Sequence, residues 1–215
     1  MRTAWLAVGL AVLGLAWTGP LPDLARDSFA AHMTLHMAVV AVAAPLLALA
    51  MAGTAVDPVR AMPRLVAPIP ASVVELIVVW GWHVPALHHA ARLESSSFVL
   101  EQGSFVVAGL LLWIAAVGGD REQRRVRAGG GVAALLLTSR HMTLLGALFA
   151  LANRPLFQHT SLVADLSPAE DQQLGGVIML LVGGASYLCG GLGLTAAALR
   201  SRTGASSIGQ QESPV

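Results

Sequence analysis

Six long apolar stretches, separated by short polar segments, set the pattern of this chain. They run approximately over residues 4–17, 32–51, 69–90, 98–117, 132–151 and 174–199. A helix needs about 20 mainly apolar residues to cross roughly 30 Å of hydrocarbon, and most of these stretches reach that length. The pattern therefore predicts an all-α fold, a polytopic transmembrane helical bundle of about six spans in a lipid bilayer.

The composition agrees with a membrane protein. The 215 residues are 55% hydrophobic and only 12% charged, whereas about a quarter of the residues in a soluble domain are charged. The arginines lie in short loops, so no basic domain supports nucleic-acid binding. The single cysteine, Cys189, excludes an internal disulfide and any CxxC metal motif.

Three regions follow from the pattern. Residues 1–20 form the first transmembrane helix, which could also act as a signal anchor. No A-x-A cleavage site precedes Asp23, so a retained helix is favoured over a cleaved signal peptide. Residues 30–199 form the helical membrane domain. The polar tail, residues 203–215, is predicted to be disordered and cytoplasmic.

The arginines predict the orientation of the bundle. Cytoplasmic loops carry an excess of basic residues, and nine of the thirteen arginines would share one side of the membrane: Arg2, Arg60, Arg64, Arg121, Arg124, Arg125, Arg127, Arg200 and Arg202. The opposite side has three, Arg26, Arg92 and Arg154. Both termini are therefore predicted to be cytoplasmic. Six of the seven histidines then fall on the outer side, with only His141 near the middle of a span.

The segment HMTLHM at the outer end of the second span is a candidate metal site. His32 and His36 are separated by about 40° around a helix, so they share one face, and Met33 flanks it. Imidazole and thioether together suit Cu(I), whereas zinc would more often recruit a carboxylate or thiolate. The alternative is that both are interfacial histidines bonded to water or loops.

The segment WGWHVPALHHAAR, residues 80–92, is the second candidate. Pro85 is predicted to kink the helix just after His83, because it lacks an N–H and clashes with the preceding turn. His83 lies inside the span and is the best third ligand. Trp82 suits an aromatic interface belt. His88 and His89 resemble interfacial residues.

The segment SPAEDQQLGGVIM, residues 167–179, begins the last span. Ser167 and Glu170 form a predicted capping box. Asp171, Gln172 and Gln173 then carry polar groups into the membrane, where such residues usually line a cavity or pack inside a bundle. Met179 lies on nearly the same face as Asp171 and is a further candidate ligand.

One charge lies deeper in the membrane. Arg140 falls inside the fifth span and needs a partner there. Glu75 is the only acidic residue predicted well inside a span, so a buried Glu75–Arg140 ion pair is expected. The alternative is that Arg140 bonds to backbone carbonyls. The adjacent His141 is a weaker candidate ligand than His32.

Five segments, HMTLH, WHVPAL, LEQGSFVVAGLLLW, RPLFQ and DQQLGGVIM, together resemble the CtaG family of multi-spanning bacterial assembly factors for caa-type cytochrome c oxidases. The resemblance covers roughly residues 30–195. The positions that match the family motifs are His32, His36, Trp82, His83, Pro85, Glu101, Arg154, Pro155, Asp171, Gln172, Gln173, Gly176 and Met179. The chain departs from the family where Gln102 follows Glu101, since many members have histidine there.

The resemblance implies a multi-pass protein of the bacterial cytoplasmic (inner) membrane that helps to mature a haem–copper oxidase. It implies copper, as Cu(I), held on the periplasmic side by His32, His36, His83 and Met179, with Met33 optional. Asp171, Gln172, Trp82 and Glu101 would support the site. The expected partners are the catalytic subunit of the oxidase and a periplasmic copper donor.

Two other classes compete with copper delivery. One is a metal-free scaffold that holds an oxidase subunit during insertion. The other is a membrane enzyme or a proton-linked transporter that uses Glu75, Arg140 and His141. The chain contains no HExxH, GxSxG or Walker motif, so an enzyme is not expected.

Overall fold

The computed structural model describes residues 1–157 and 166–211, with side chains as far as residue 200. The described chain is helical and contains no strand, which confirms the predicted all-α class. The α-helices are α1 Arg2–Thr18, α2 Leu21–Asp27, α3 Phe29–Met37, α4 Ala44–Met51, α5 Pro58–Ala61, α6 Pro68–Trp82, α7 Pro85–Leu93, α8 Ser95–Val117, α9 Arg121–Ala150, α10 Pro168–Ile178 and α11 Gly184–Gln211.

Two π-helical segments join consecutive helices. Ala38–Ala43 connects α3 to α4, and Met179–Gly183 connects α10 to α11. Each of these runs is therefore one long helix with a locally wider backbone. π-Helical turns are rare and occur frequently at functional sites.

Four helical runs in the described residues are long and apolar enough to cross a membrane: Phe29–Met51, Ser95–Val117, Arg121–Ala150 and Pro168–Arg200. Two further spans are bent pairs of helices. Arg2–Thr18 and Leu21–Asp27 meet at 52°, and Pro68–Trp82 and Pro85–Leu93 meet at 73°. Counting each pair as one span gives the six that were predicted, although the third span is broken rather than merely kinked.

The first helix is an integral part of the bundle. α1 packs against α4, and a Cβ at Gly9 would lie 2.9 Å from Leu47 Cδ2. α9 and α10 also approach closely, since a Cβ at Gly176 would lie 2.4 Å from the backbone N of Ala150. Small residues at such positions let helix backbones come together in a membrane.

The predicted arginine-rich side forms one end of the molecule. The Arg2 side chain donates to Ala52 O at 3.2 Å, and the Arg127 guanidinium donates to Pro63 O at 2.5 Å and also to Val66 O. Asp57 accepts backbone N–H groups from the loops that meet there, including that of Gly119 at 2.6 Å. These bonds tie the connections between spans into one compact end.

Two sequence predictions concern the chain end and the last loop. Helix α11 continues to Gln211, so residues 203–211, predicted to be disordered, are helical, because helix propagation adds residues readily once a long helix exists. Residues 212–215 lie outside the described residues. His159 lies in 158–165, which is also outside them.

Candidate metal centre

Helix α3 presents two histidines to the interior of the bundle. His32 is 2% exposed and His36 is fully buried, with ring centroids 5.1 Å apart. One turn of helix separates them, so the prediction that they share a face is confirmed. α3 is buried because α2 and α10 pack against it.

The break between α6 and α7 brings two more histidines to this helix. Pro85 occupies the first turn of α7, and His83 caps the end of α6. His83 lies beside His36, with ring centroids 5.2 Å apart, and His88 lies beside His32 at 4.6 Å. In an unbroken helix, residues five apart differ by about 140° in direction, so the 73° bend is what aligns both with α3.

The four imidazoles form a continuous line, in the order His88, His32, His36 and His83, which we call the histidine row. The sequence predicts His83 as a ligand and His88 as an interfacial residue. The packing of α7 against α8 is what directs His88 inward, where it is 1% exposed. Sequence spacing could not show this, because the signal depends on the angle of the helix break.

Glu101 of α8 completes the centre. Its Oε1 lies 3.3 Å from His32 Nε2, and one donor atom from each of His32, His36 and Glu101 lies within 4.8 Å of the others. Two atoms that bind one metal ion at about 2.05 Å with tetrahedral geometry are roughly 3.3 Å apart. The resemblance had given Glu101 a supporting role, whereas the structure places it among the candidate ligands.

The position of Glu101 is fixed by neighbouring side chains. Gln102 Nε2 donates to Glu101 Oε2 at 3.1 Å, and Trp17 Nε1 donates to Gln102 Oε1 at 3.3 Å. Hydrogen bonds to the far side of a ligand orient it and tune its affinity. Gln102, where the chain departs from the family pattern, therefore holds the carboxylate rather than adding another imidazole. Nearby, Trp82 Nε1 donates to Ser104 Oγ at 2.8 Å and anchors α6 to α8.

Several donor atoms in the row have no hydrogen-bond partner in the described part of the chain. Both ring nitrogens of His36 are buried in this way, as is His83 Nε2. His83 Nδ1 lies 2.6 Å from Val79 O, so Nδ1 carries the hydrogen and Nε2 keeps its lone pair. Leaving such a group buried and unpaired costs about 1–3 kcal/mol. A metal ion would satisfy one ring nitrogen of His36, and an ion that also reached His83 would satisfy Nε2 of that residue.

Aromatic rings enclose the histidine row. Phe105 lies 3.5 Å from the ring centroid of His36, Phe149 lies 5.4 Å from that of His83, and Phe157 lies 4.3 Å from that of His88. An apolar shell limits access of water and sets the dielectric around a site. Three imidazoles and a carboxylate within such a shell are suited to copper or zinc.

The two predicted methionine ligands lie in the apolar core. Met33 and Met179 are both fully buried among hydrophobic side chains, and a Cβ at Gly175 would lie 3.0 Å from Met33 Cγ. These contacts assign Met33 to packing between α3 and α10. A ligand role for either sulfur stays a prediction.

The polar residues of α10 act as supports. Asp171 Oδ1 accepts from Ser28 Oγ at 2.7 Å, and its Oδ2 accepts from the backbone N of Phe29 at 2.7 Å. The carboxylate thus binds the N-terminus of α3, the helix that carries His32 and His36. Gln172 Oε1 accepts from the backbone N of Leu156 at 2.6 Å. These residues were expected to line a cavity or pack inside the bundle, and they pack by fixing the two segments beside the histidine row.

The expected Glu75–Arg140 ion pair is not formed in the structure. Glu75 is fully buried and accepts a hydrogen bond from the Tyr187 hydroxyl, while Arg140 is exposed. A phenol satisfies a buried carboxyl without placing a second charge in the membrane, whereas Arg140 points away from the bundle. His141 follows Arg140 on α9, is partly buried and does not belong to the histidine row.

A comparison of the chain with models of known protein families gives a match. The model of the cytochrome c oxidase caa3 assembly factors (Caa3_CtaG) matches residues 1–201, almost the whole chain. The chain belongs to this family. The resemblance stated from the sequence motifs is therefore confirmed. Neither the curated proteins nor the solved structures contain a match to it.

Membership of this family ties the chain to cytochrome c oxidase assembly, and thus to an oxidase partner. Family membership also agrees with the presence of helices that are long and apolar enough to cross a membrane. The histidine row and Glu101 lie at one end of the molecule, and the connections that contain Arg2 and Arg127 lie at the other end. At the histidine end, Arg92 Nε donates to Arg26 O at 2.6 Å.

Proposed function

We propose that this assembly factor binds one copper ion at His32, His36 and Glu101, with His83 as a further ligand, and delivers it to the catalytic subunit of the oxidase. The observation that carries the proposal is the buried cluster of His32, His36 and Glu101, whose donor atoms lie within 4.8 Å of one another. Among the described residues, neither ring nitrogen of His36 nor Nε2 of His83 has a hydrogen-bond partner. Copper is the cargo that a haem–copper oxidase requires during assembly.

The location of the cluster supports delivery within the membrane. The candidate ligands lie on membrane-spanning helices, at the end opposite the arginines. By the positive-inside rule, that end faces the periplasm. A copper ion held there would be within the depth of the bilayer, where it could pass laterally to another membrane subunit.

The choice of metal ion is open to a direct test, because Glu101 adds a carboxylate that zinc also accepts. The purified protein in lipid nanodiscs would be loaded with Cu(I), Cu(II) or Zn²⁺, separately and in competition, and the bound metal counted by mass spectrometry. We expect about one copper per chain and displacement of zinc by copper, as the usual order of affinities dictates.

The matched variants are His32→Ala/His36→Ala and, as a control outside the row, His141→Ala. The double variant should lose the copper and the control should keep it. Equal copper in the double variant and the wild type would refute the site. X-ray absorption of the loaded protein adds the ligand types, and scattering from nitrogen and oxygen alone would remove Met33 and Met179.

The metal-free scaffold is distinguished in cells that lack the native protein. Cells that carry the double variant should fail to mature the oxidase, and excess copper should partly restore its activity. A scaffold predicts that the double variant matures the oxidase normally, or that copper restores nothing.

A further inference from the structure

A cavity of about 360 Å³ adjoins the outer end of the histidine row. It lies between α7 and the segment that follows α9, and its lining includes His88, His89, Arg92 and Phe157. The cavity is distinct from the cluster of His32, His36 and Glu101, none of which lines it. It is large enough to hold a hydrated metal ion, because one water occupies about 30 Å³ of liquid volume.

His88 belongs both to the histidine row and to the lining of the cavity. It lines the cavity, and its ring centroid lies 4.6 Å from that of His32. Phe157 also lines the cavity, is 6% exposed and lies 4.3 Å from the His88 ring centroid. It stacks on Phe29 with centroids 4.9 Å apart. In the described part of the chain, the imidazole of His88 and the rings of Phe157 and Phe29 therefore lie between the cavity and the buried cluster.

The spacing of the row suits transfer of a metal ion by ligand exchange. Successive ring centroids from His88 to His32, His36 and His83 are 4.6, 5.1 and 5.2 Å apart. Neighbouring imidazoles at these distances can share an ion, so one Cu–N bond can form before the previous one breaks. No electron is transferred, because each step only exchanges one imidazole ligand of the ion for the next.

The charge of the row is asymmetric. The carboxylate of Glu101 lies beside His32 and His36, so its negative charge is close to these two histidines rather than to His88. A carboxylate adds a negative charge that attracts a cation more strongly in a low-dielectric interior. An ion that arrives between His88 and His32 would therefore move inward to the pair His32 and His36.

We propose that the cavity is the access site for the metal ion, that His88 is its first ligand, and that Phe157 restricts its passage to the buried cluster. The ligand class is a transition-metal cation that imidazole binds. The inference rests on the proposed function, because it needs the buried cluster to bind copper.

The test measures how fast the ion reaches the cluster, separately from how much is bound. Metal-free protein in nanodiscs would be mixed rapidly with Cu(I) in ascorbate buffer, and quenching of tryptophan fluorescence would be followed. His88→Ala should slow loading, because the ion would then enter without its first imidazole ligand. The copper bound at equilibrium should stay at the wild-type level.

Phe157→Ala should accelerate loading with full stoichiometry, a result that a damaged fold would not give. The control variants lie away from the cavity. They are His141→Ala, on α9, and Phe98→Ala, a partly buried ring that packs against a separate apolar cluster. Both should load at the wild-type rate.

Two results would overturn the access site alone: wild-type loading rates in both His88→Ala and Phe157→Ala, or loss of equilibrium copper in His88→Ala, which would make His88 a permanent ligand. If the wild type itself binds no copper, the proposed function fails, and the access site fails with it.

Discussion

Asp171 shows how a residue outside the candidate ligands can control them. Its two carboxylate oxygens hold Ser28 and the backbone N of Phe29, at the start of the helix that carries His32 and His36. An anion at a helix N-terminus satisfies N–H groups that have no partner within the helix. Asp171 is therefore a positioning residue for both histidines.

The variant Asp171→Asn tests this role. An amide nitrogen cannot accept the bond from Phe29 or Ser28, so we expect a loss of about 1–3 kcal/mol in the free energy of unfolding. The copper affinity should also fall by roughly 10–100-fold, the usual effect of losing a group that orients metal ligands. Chemical denaturation in mixed micelles and copper titration measure the two effects.

The matched control is Glu170→Gln, which alters the neighbouring carboxylate. Glu170 is exposed, and its hydrogen bonds to described residues are those of its own capping box with Ser167. That variant should keep the wild-type copper affinity. An Asp171→Asn protein that is less stable but binds copper normally would leave Asp171 as a purely structural residue.

At the scale of the helices, interruptions create the polar interior of this bundle. The π-helical segment Ala38–Ala43 directs two carbonyl groups toward α11: Ser186 Oγ donates to Ala41 O at 2.7 Å, and the Tyr187 hydroxyl lies 3.2 Å from Val40 O. Tyr187 also donates to Glu75 of α6. One phenol thus links three helices around a buried carboxyl, in a part of the molecule separate from the histidine row.

Tyr187→Phe should lower the free energy of unfolding by about 1–3 kcal/mol, because a buried carboxyl loses its hydrogen-bond donor. The control is Arg140→Gln, which alters the partner that the sequence had suggested for Glu75. Since Arg140 is exposed, this variant should unfold like the wild type. Thermal or urea unfolding in mixed micelles compares the stability of the two variants. A larger loss of stability in Arg140→Gln than in Tyr187→Phe would indicate that Arg140 is the partner of Glu75.

At the scale of the whole molecule, the two ends have different chemistry. One end gathers Arg2, Arg127 and the loop around Asp57 in hydrogen bonds between connections. The other end holds the histidine row and the adjoining cavity. The positive-inside rule predicts that the first end faces the cytoplasm and that the second end faces the opposite side of the membrane.

This orientation predicts which positions an impermeant maleimide can reach in intact spheroplasts. After Cys189 is replaced by Ser, a cysteine at exposed His89 should be labelled, because it lies at the histidine end. A cysteine at Val126, 80% exposed near the arginine end, should be labelled only after the membrane is permeabilised. The reverse pattern would place the candidate copper site in the cytoplasm.

The sequence by itself determined the features that depend on local pattern. Apolar runs set the spans, the arginines set the predicted orientation, and the spacing of His32 and His36 placed both on one face of a helix. Pro85 marked the interruption of the third span. Each of these follows from the period of a helix, the thickness of a bilayer or the geometry of proline, and needs no knowledge of neighbouring elements.

Only the tertiary structure decided which side chains meet. The 73° break turned His88 toward His32, the packing of α8 placed Glu101 beside both histidines of α3, and Tyr187 rather than Arg140 reached Glu75. The rotation of each helix about its axis and the angle between helices set these contacts. A helix fixes the spacing of its own residues, but it does not fix the face that another helix will cover.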